Sequence, residues 1–502
     1  MSYKAELGHL ERGGERSLTE QLVTAFRGAV QSGELAPGEK LPPTRELAEL
    51  AGVNHLTAVR AYRRLRELGL VTSQVGRGTF VREAAPLAAA GGEADEEWQR
   101  YVLPPVVESH GDRAMAEMYR HSQARGLIPL SVGYPSKALY PFEPMRRSLT
   151  QALDRQDARA LQYTDIAGLP ELVEQLVALS AERGAPEQPG NIVVTSGARQ
   201  GLTLAARAVL RPGDVTVCES PSFFGVLESL RSTGARVLAA PVDERGLDVD
   251  ALEALIAQHE IKLVALQTRC QNPTGVDLDP ERRARLLEMA RMHGFFVLED
   301  GIYGDMRFEG EEPGTLRAEA PSHVIYVDSF SKTVGGGLRV GWVASSGPVR
   351  ERVLMEKRLD DMHSATIPQL ALAEFLADGE YPAHIERARA FYRERRDALI
   401  EGIERNLGGM VAPVEPPGGG GHVWVTLSVP VDESELMTEA VRHGVTFVPG
   451  AAVLPEPSAG SHMRLSFSFL DPEELVEGTR RLARAVRSMT RPRAAETALP
   501  IA

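Results

Sequence analysis

The segment SFSKTVGGGLRVGW, residues 329–342, contains a single lysine followed by a glycine run and an arginine. Three kinds of chemistry suit Lys332 in this setting: a charge on a solvated loop, part of a glycine-rich turn that holds phosphate, or an amine that forms a covalent bond. The segment alone leaves all three open. Residues elsewhere in the chain are needed to choose among them.

Polar and aromatic side chains follow several apolar runs upstream of Lys332. Residues 196–198 form a small-residue turn before a helical segment, and the N–H groups of such a turn suit an anion. Phe223 follows VTVCES, Asn272 lies in QNPTG and Asp300 ends FFVLED. Each also has a purely structural explanation as core, turn or helix cap. Their order, with each residue at the end of a predicted strand, favours a shared site.

The elements that position these residues alternate in type along the chain. Five apolar runs predict buried strands: IVVTSG, VTVCESP, IKLVALQ, GFFVLED and VIYVDSF. Helical segments separate them, so the pattern predicts an α/β body with a mainly parallel sheet and helices on both faces. Ligands of such a sheet bind at the carboxyl ends of its strands. From about residue 383, a helix, strands and a further helix predict a smaller α+β domain.

Taken together, these residues resemble the fold-type I pyridoxal 5'-phosphate (PLP) enzymes, the aspartate aminotransferase superfamily, over roughly residues 110–490. The resemblance implies that Lys332 forms a Schiff base with PLP and that Asp300 pairs with the pyridinium nitrogen. These two residues and Tyr303 form the expected catalytic set. The other implied contacts are Phe223, Asn272 and Tyr303 at the ring, Ser196, Gly197, Ala198, Ser329 and Arg339 at the phosphate, and Tyr163 at the phosphate of the neighbouring subunit.

The same resemblance implies a site for a small amino compound. An arginine of the family clamps the substrate carboxylate, and the segment HMRLSFS places Arg464 at that position. We expect Gly133 and Arg269 to lie beside it, with Arg269 available for a second anionic group. Arg199 opposes the dipole of the helix that follows the phosphate turn, and we expect it to help hold the phosphate.

Residues 17–83 show a different pattern of three helices and a hairpin. SLTEQLVTAFRGAVQ has an apolar stripe at helical spacing, TRELAELAG predicts a second helix with Thr44 as its N-cap, and VNHLTAVRAYRRLRELG predicts a third. LVTSQVGRGTFV alternates around a Gly-Arg-Gly turn, which predicts two paired strands. This succession predicts a winged helix-turn-helix.

The N-terminal unit resembles the GntR family of winged-helix regulators in LAPGEKLPPTRELAELAGV and GRGTF. The resemblance implies that the third helix lies in the major groove of DNA. The implied DNA contacts are Arg45, Asn54, His55, Thr57, Arg60 and Arg77. Although the net charge of the chain is -13, residues 54–82 contain six arginines and one acid. The local potential therefore suits binding to phosphates.

A GntR-type domain, a linker and an aminotransferase-like body together resemble the MocR/GabR transcriptional regulators. The resemblance implies a cytoplasmic head-to-tail homodimer that binds double-stranded promoter DNA and senses PLP or an amino compound through Lys332. The alternative is a working class I/II aminotransferase that carries a DNA-binding domain. Asn272 favours this alternative, because many regulators of this kind have an aromatic residue there. Residual transamination is compatible with the regulator.

Length and composition bound the remaining possibilities. In a chain of 502 residues we expect an N-terminal tail at 1–16, the winged helix at 17–83, a linker at 84–110, the body at 111–490 and a disordered tail at 491–502. Two cysteines suit a reducing cytoplasm rather than a disulfide framework. No run approaches the roughly 18 apolar residues of a membrane span. The 12 histidines show no pair at metal-ligand spacing, so we expect no metal.

Overall fold

The chain forms two separate units, residues 1–108 and 109–502. The computed structural model describes residues 10, 17–31, 34–36, 38–67, 70–74, 78–81, 116, 126–310, 313–456, 458 and 460–490. The predicted linker and C-terminal tail lie outside the described residues, as does the predicted N-terminal tail apart from Leu10.

The first unit is a winged helix. Its elements are α1 (Leu18–Gln31), α2 (Thr44–Leu50), α3 (His55–Glu67), β1 (Val71–Gln74) and β2 (Gly78–Val81). The two strands pair antiparallel, with Val71 opposite Val81, which confirms the predicted hairpin. Phe26 of α1 and Tyr62 of α3 are buried with their ring centroids 5.8 Å apart, so an apolar core holds the helices together.

The start of α2 differs from the prediction. Helix α2 begins at Thr44 itself, its N-cap is Pro43, and no side chain caps it. The prediction that Thr44 is the N-cap is therefore wrong. The Thr44 hydroxyl instead lies 3.2 Å from Nε2 of His55, the first residue of α3, and so joins the two helices of the helix-turn-helix.

The second unit alternates helices and strands over most of its length. It contains the helices α4 (Phe142–Gln156), α5 (Pro170–Glu182), α6 (Ala198–Val209), α7 (Phe224–Arg231), α8 (Val249–Ile256), α9 (Pro280–His293), α10 (Leu316–Glu319), α11 (Pro348–Asp360), α12 (Thr366–Ala377), α13 (Tyr381–Leu407), α14 (Glu433–Arg442) and α15 (Pro472–Thr490). Its strands are β3 (Ile128–Pro129), β4 (Ile192–Thr195), β5 (Val215–Ser220), β6 (Arg236–Asp243), β7 (Gly246–Leu247), β8 (Ile261–Leu266), β9 (Phe296–Asp300), β10 (Val324–Ser329), β11 (Gly341–Ala344), β12 (His422–Thr426), β13 (Val445–Thr446), β14 (Val448–Pro449) and β15 (His462–Ser466).

The large sheet has eight strands in the order β4-β11-β10-β9-β8-β5-β6-β7. The five predicted strands are present as β4, β5, β8, β9 and β10, and the pairs β10–β9, β9–β8, β8–β5 and β5–β6 are parallel. This confirms the mainly parallel sheet. The sequence did not predict β11, which runs antiparallel to both β10 and β4.

Helices cover both faces of this sheet. Because successive residues of a strand point to opposite faces, neighbouring residues of one strand contact helices on different sides. On β11, Trp342 belongs to the apolar cluster that includes Leu176 of α5 and Phe375 of α12, whereas Val343 belongs to the cluster that includes Leu202 of α6. The pairing of Ser329 with Gly341 joins β10 to β11 and closes the connection that contains Lys332.

A smaller subdomain contains the C-terminal elements. Strands β12, β15 and β14 form an antiparallel sheet, and α13 and α15 pack on a core that includes Leu399, Phe467 and Leu482. Strand β3, from the start of the unit, pairs with β13 and therefore belongs with this subdomain. Among the described residues, no helix is both long and apolar enough to cross a bilayer.

Candidate functional site

A cavity of about 400 Å³ lies between the carboxyl edge of the large sheet and the small subdomain. This volume is in the range of small-molecule sites. The residues that line it come from the segments that follow strands β3, β4, β5, β8, β9 and β10 and from strands β12 and β15. Six predicted site residues are among them: Gly133, Phe223, Asn272, Tyr303, Lys332 and Arg464.

Lys332 lies in a π-helical turn, Ser331–Gly335, that directly follows β10. Its Nζ donates a hydrogen bond to the backbone oxygen of Gly133 at 2.8 Å. Burial is the main cause that lowers the pKa of Lys332 from 10.5 to about 8; the cation of Arg464 contributes in the same direction and Asp300 in the opposite one. Near neutral pH, a larger fraction of this amine is therefore neutral and nucleophilic than in an ordinary lysine.

Asp300 is a buried carboxylate at the end of β9, behind the cavity wall. It accepts hydrogen bonds from Nε2 of Gln267 at 3.0 Å and from the N–H of Ile302 at 3.2 Å. Burial first, and then the nearby carboxylate of Asp328, raise the pKa of Asp300 to about 7 against the hydrogen bonds that lower it. A cation placed beside Asp300, such as a pyridinium, would favour its ionised form.

Arg464 and Asn272 meet on the opposite wall. Arg464 is buried, and its guanidinium donates to Oδ1 of Asn272 at 3.3 Å and to the backbone oxygen of Ser131 at 3.1 Å. Its position on β15 is fixed by antiparallel pairing with Trp424 of β12. A planar guanidinium held in this way suits bidentate binding of a carboxylate.

Tyr303 carries a contact that sequence analysis did not find. Its hydroxyl lies 2.9 Å from Nε2 of His422, the first residue of β12, and both side chains are buried. His422 also lines the cavity. A lone histidine in GGGGHVWV offers no motif, so only the pairing of β12 with β15 reveals that it reaches the site.

A second group of predicted residues surrounds the N-terminus of α6. Arg339 donates to the backbone oxygen of Ser196 at 2.6 Å, and Ser329 forms hydroxyl contacts with Ser331 at 2.7 Å. Gly197 has a φ of +96°, and a Cβ there would lie 2.7 Å from Nη2 of Arg339, so a side chain would displace the guanidinium. Ala198 begins α6 and is buried. Amide groups, hydroxyls and a guanidinium around a helix N-terminus suit a phosphate.

Two predicted arginines lie differently from the expectation, and a predicted tyrosine lies on the surface of the unit. Arg269 is buried, donates to the Tyr326 hydroxyl at 3.1 Å and does not line the cavity, so it is not placed to hold a second anionic group there. Arg199 lines the cavity, pairs with Glu228 and has its guanidinium 5.5 Å from the centroid of the Phe224 ring. Tyr163 is 86% exposed and lies outside the cavity.

The charge of the cavity is one-sided. Its basic lining residues are Arg199, Lys332 and Arg464, and no acidic side chain is among the described residues that line it. Such a lining attracts anionic ligands. No group of three or more His, Cys, Asp and Glu side chains in the described part of the chain could hold a metal ion.

Of the predicted DNA-binding residues, Arg45 lies on α2, Asn54 directly precedes α3, and His55, Thr57 and Arg60 lie on α3. Arg45, Asn54, His55 and Arg60 are exposed and Thr57 is half-buried, whereas Arg77 lies outside the described residues. Two of these side chains also make local contacts, since Asn54 Oδ1 accepts from the N–H of Leu56 at 2.8 Å and His55 contacts Thr44. Leu56 is 61% exposed beside them, an apolar group of the kind that contacts the thymine methyl group.

The side chains present fit PLP. The cation and amides at the start of α6 match a phosphate, buried Asp300 matches a pyridinium nitrogen, and Phe223 offers a ring to a flat ligand. Tyr303 and Asn272 offer polar groups to a phenolic oxygen, and Lys332 offers an amine to an aldehyde. No acidic group faces this set within the described cavity lining.

Comparisons with known proteins agree with this geometry. Residues 126–482 match the family model "Aminotransferase class I and II", and residues 18–81 match "Bacterial regulatory proteins, gntR family". The HTH-type transcriptional regulator TauR of Rhodobacter capsulatus is 31% identical over 502 residues, which cover 97% of this chain and 100% of TauR. Aromatic-amino-acid aminotransferase 1 of Thermococcus litoralis is 31% identical over 378 residues, 74% of this chain and 90% of that enzyme.

Solved structures give the same result for the second unit. The kynurenine aminotransferase of Pyrococcus horikoshii superposes with a TM-score of 0.74 at 28% identity, covering 79% of this chain and 99% of the enzyme. The chain therefore belongs to the aminotransferase class I and II family, in the group that carries a GntR-type DNA-binding domain ahead of the aminotransferase body. PLP is the cofactor of this fold.

Proposed function

We propose that this protein is a PLP-dependent transcriptional regulator that binds double-stranded promoter DNA with its first unit and an anionic amino compound with its second. The observation that carries the proposal is the combination in one chain of a winged helix with an exposed basic α3 and an aminotransferase-like body whose cavity is lined by side chains that fit PLP. An enzyme has no need of the first, and a simple DNA-binding protein has no need of the second.

The DNA-binding half rests on the exposed side chains of α3. Arg60, Arg63, Arg64 and Arg66 are exposed on this helix. Basic side chains of this kind bind phosphates, whereas base-edge contacts are expected from Asn54 and His55 at the start of the helix.

The effector is a primary amine that carries a carboxylate. When bound, PLP supplies an aldehyde carbon that captures primary amines. Arg464 is buried and oriented by its bonds to Asn272 and Ser131, so it binds the carboxylate in a fixed direction. Lys332 lines the same cavity, where its amine would hold the aldehyde carbon of the cofactor.

The response to the effector is a change in affinity for the operator. A ligand shifts a conformational equilibrium only by its difference in affinity between the two states. Couplings of this kind typically change affinity by about 5–150-fold. The test is to titrate amino acids and ω-amino acids into the PLP-loaded protein while following visible absorbance and operator affinity together.

Matched variants make this test specific. Arg464→Gln should weaken the response to carboxylated amines, and Lys332→Ala should remove the absorbance of the lysine-bound cofactor. Lys262→Gln, at a half-buried lysine paired with Glu260 and outside the cavity lining, is the control and should behave as wild type. Operator affinity that no amine changes, in a protein whose absorbance does respond, would contradict the regulator.

We also propose a homodimer in which Tyr163 reaches the phosphate site of the partner subunit. Tyr163 contacts His363 edge-on at 5.5 Å, and Gln162 accepts from Thr366, so two exposed segments adjoin there. Several apolar side chains before and within these segments are exposed: Tyr134, Tyr140, Phe142, Leu153 and Leu161 in residues 134–161, and Leu359, Met362 and Ile367 in residues 359–367. A large exposed apolar surface is typical of an interface. Light scattering measures the dimer, and cross-linking between the DNA-binding domain and the body tests the head-to-tail arrangement.

The second candidate is a working aminotransferase, and two observations favour it. Asn272 lines the cavity, and the lowered pKa of Lys332 provides a neutral amine that can act as a general base. Keto-acid production measured in the same titration separates the candidates. Turnover of about 1 per second or faster, in the ordinary enzyme range, with unchanged operator affinity would establish the enzyme.

A further inference from the structure

His422 is a buried histidine of the cavity wall whose two ring nitrogens have different surroundings. Nε2 lies 2.9 Å from the Tyr303 hydroxyl. Nδ1 is buried and has no hydrogen-bond partner among the described residues. Burial, with the cations of Arg464 and Lys332 nearby, holds the pKa of His422 well below its ordinary value, so the ring is neutral and carries one proton.

The surroundings decide which nitrogen carries that proton. A proton on Nδ1 would be a buried donor without an acceptor, which is rarer and more costly than a buried lone pair without a donor. The proton therefore belongs on Nε2, and this N–H donates to the oxygen of Tyr303. The rings meet edge to face at an interplanar angle of 84°, with centroids 5.8 Å apart.

The backbone holds this ring in place from the other side. A Cβ on Gly133 would lie 2.7 Å from Cε1 of His422, so only a glycine allows the ring to pack against this segment. The same Gly133 accepts the hydrogen bond of Lys332. The position of the imidazole is thus coupled to the segment that contacts the reactive amine.

We propose that His422 is a positioning residue that, by donating from Nε2 to Tyr303, directs the Tyr303 proton to the phenolic oxygen of PLP. A tyrosine oxygen that already accepts a hydrogen bond is a better donor through its own proton, because hydrogen bonds in a chain polarise one another. The burial that raises the pKa of Tyr303 keeps that proton in place. A donor at the phenolic oxygen favours the form of the cofactor in which this oxygen is negative.

The first test measures the tautomer in the apoprotein, without any cofactor. Nitrogen-15 spectra of histidine-labelled protein distinguish a protonated from a bare ring nitrogen, and the signal of His422 is the one that His422→Phe removes. We expect a neutral ring with its proton on Nε2. A proton on Nδ1, or a charged ring at neutral pH, would overturn the proposal.

The second test uses the PLP-loaded protein and the pH midpoint of its visible absorbance change. Tyr303→Phe should raise this midpoint by about one pH unit, because the hydrogen bond that stabilises the negatively charged phenolic oxygen of PLP is lost. His422→Phe, which keeps the ring volume but not the donor, should raise it in the same direction by less. His422→Gln can place an N–H near the Nε2 position and should restore the wild-type midpoint, whereas the shorter His422→Asn should not.

The double variant separates positioning from packing. If His422 acts through Tyr303, adding His422→Phe to Tyr303→Phe should leave the midpoint of the single Tyr303 variant unchanged, although thermal stability changes. Equal midpoints for wild type and His422→Phe would overturn the proposal, as would additive shifts. The inference rests on PLP occupying the cavity: a wild-type protein without the visible band would refute that premise, whereas a normal band that is insensitive to His422 refutes the inference alone.

Discussion

The lowered pKa of Lys332 predicts how covalent uptake of PLP by the apoprotein depends on pH. Only the neutral amine attacks an aldehyde, and the pKa of this amine falls from 10.5 to about 8. At about pH 7.4, roughly a fifth of Lys332 is neutral, against less than about a thousandth of a lysine with the ordinary pKa, so the reactive fraction is roughly two hundredfold larger. The uptake rate at saturating PLP should therefore rise about tenfold per pH unit below 8 and level off above it.

Two variants should move the pH at which the uptake rate is half-maximal in opposite directions. Arg464 lowers the pKa of Lys332 and Asp300 raises it. Arg464→Gln should therefore shift the midpoint to higher pH, and Asp300→Asn should shift it to lower pH. The Lys262→Gln control, at a residue that does not line the cavity, should leave it unchanged.

The assay is stopped-flow absorbance of apoprotein mixed with PLP over about pH 6 to 10, followed by borohydride trapping and mass spectrometry to locate the labelled lysine. A rate that does not change with pH would refute the reasoning, and so would a shift of both variants in the same direction. Label at a lysine other than 332 would show that the reactive amine is misassigned.

Three further predictions follow from the same geometry. Arg339→Ala should weaken PLP binding about tenfold or more, and by more than Phe223→Leu, because a charge-assisted contact is lost rather than one stacked face. Equilibrium dialysis measures both dissociation constants, and equal losses would contradict the phosphate role. Arg60→Gln should weaken binding to operator and to unrelated DNA similarly, and it should reduce the salt slope of binding by about one. Fluorescence anisotropy at several salt concentrations measures this slope. A loss of affinity confined to the operator would indicate a base contact instead. Arg199→Gln should weaken the binding of amino acids with a second acidic group several-fold and leave that of monocarboxylic ones unchanged, since Arg199 is the third basic residue that lines the cavity, besides Lys332 and Arg464. Calorimetry compares the affinities for the two classes of amino acid, and equal effects would exclude this role.

Much of the fold can be predicted from local patterns in the sequence. The five buried strands of the body are continuous apolar runs, and the helices between them have ordinary helical spacing, so their type was predictable. Strand β11 was not, because GWVA is short and follows the glycine run. Its antiparallel direction is fixed by pairing with both β4 and β10.

The site was predictable where a residue type has a single chemical use at a strand end, as for Lys332 and Asp300. Positions that depend on rotamers and on distant partners were not. Arg269 lies only three residues before Asn272, yet it turns to Tyr326 rather than into the cavity. Thr44 has the residue type of an N-cap, but its hydroxyl contacts His55, eleven positions away.

The connection between β10 and β11 has a consequence for how the protein holds its cofactor. Lys332 and Arg339 both lie in this one connection, which the Ser329–Gly341 pairing closes. A ligand bound at both residues would link two positions of this connection to each other as well as to the rest of the second unit. In terms of hydrogen exchange, the amides of residues 330–340 should then open and close as one cooperative unit. Local unfolding of this one connection would therefore displace the residues that hold both ends of PLP at the same time.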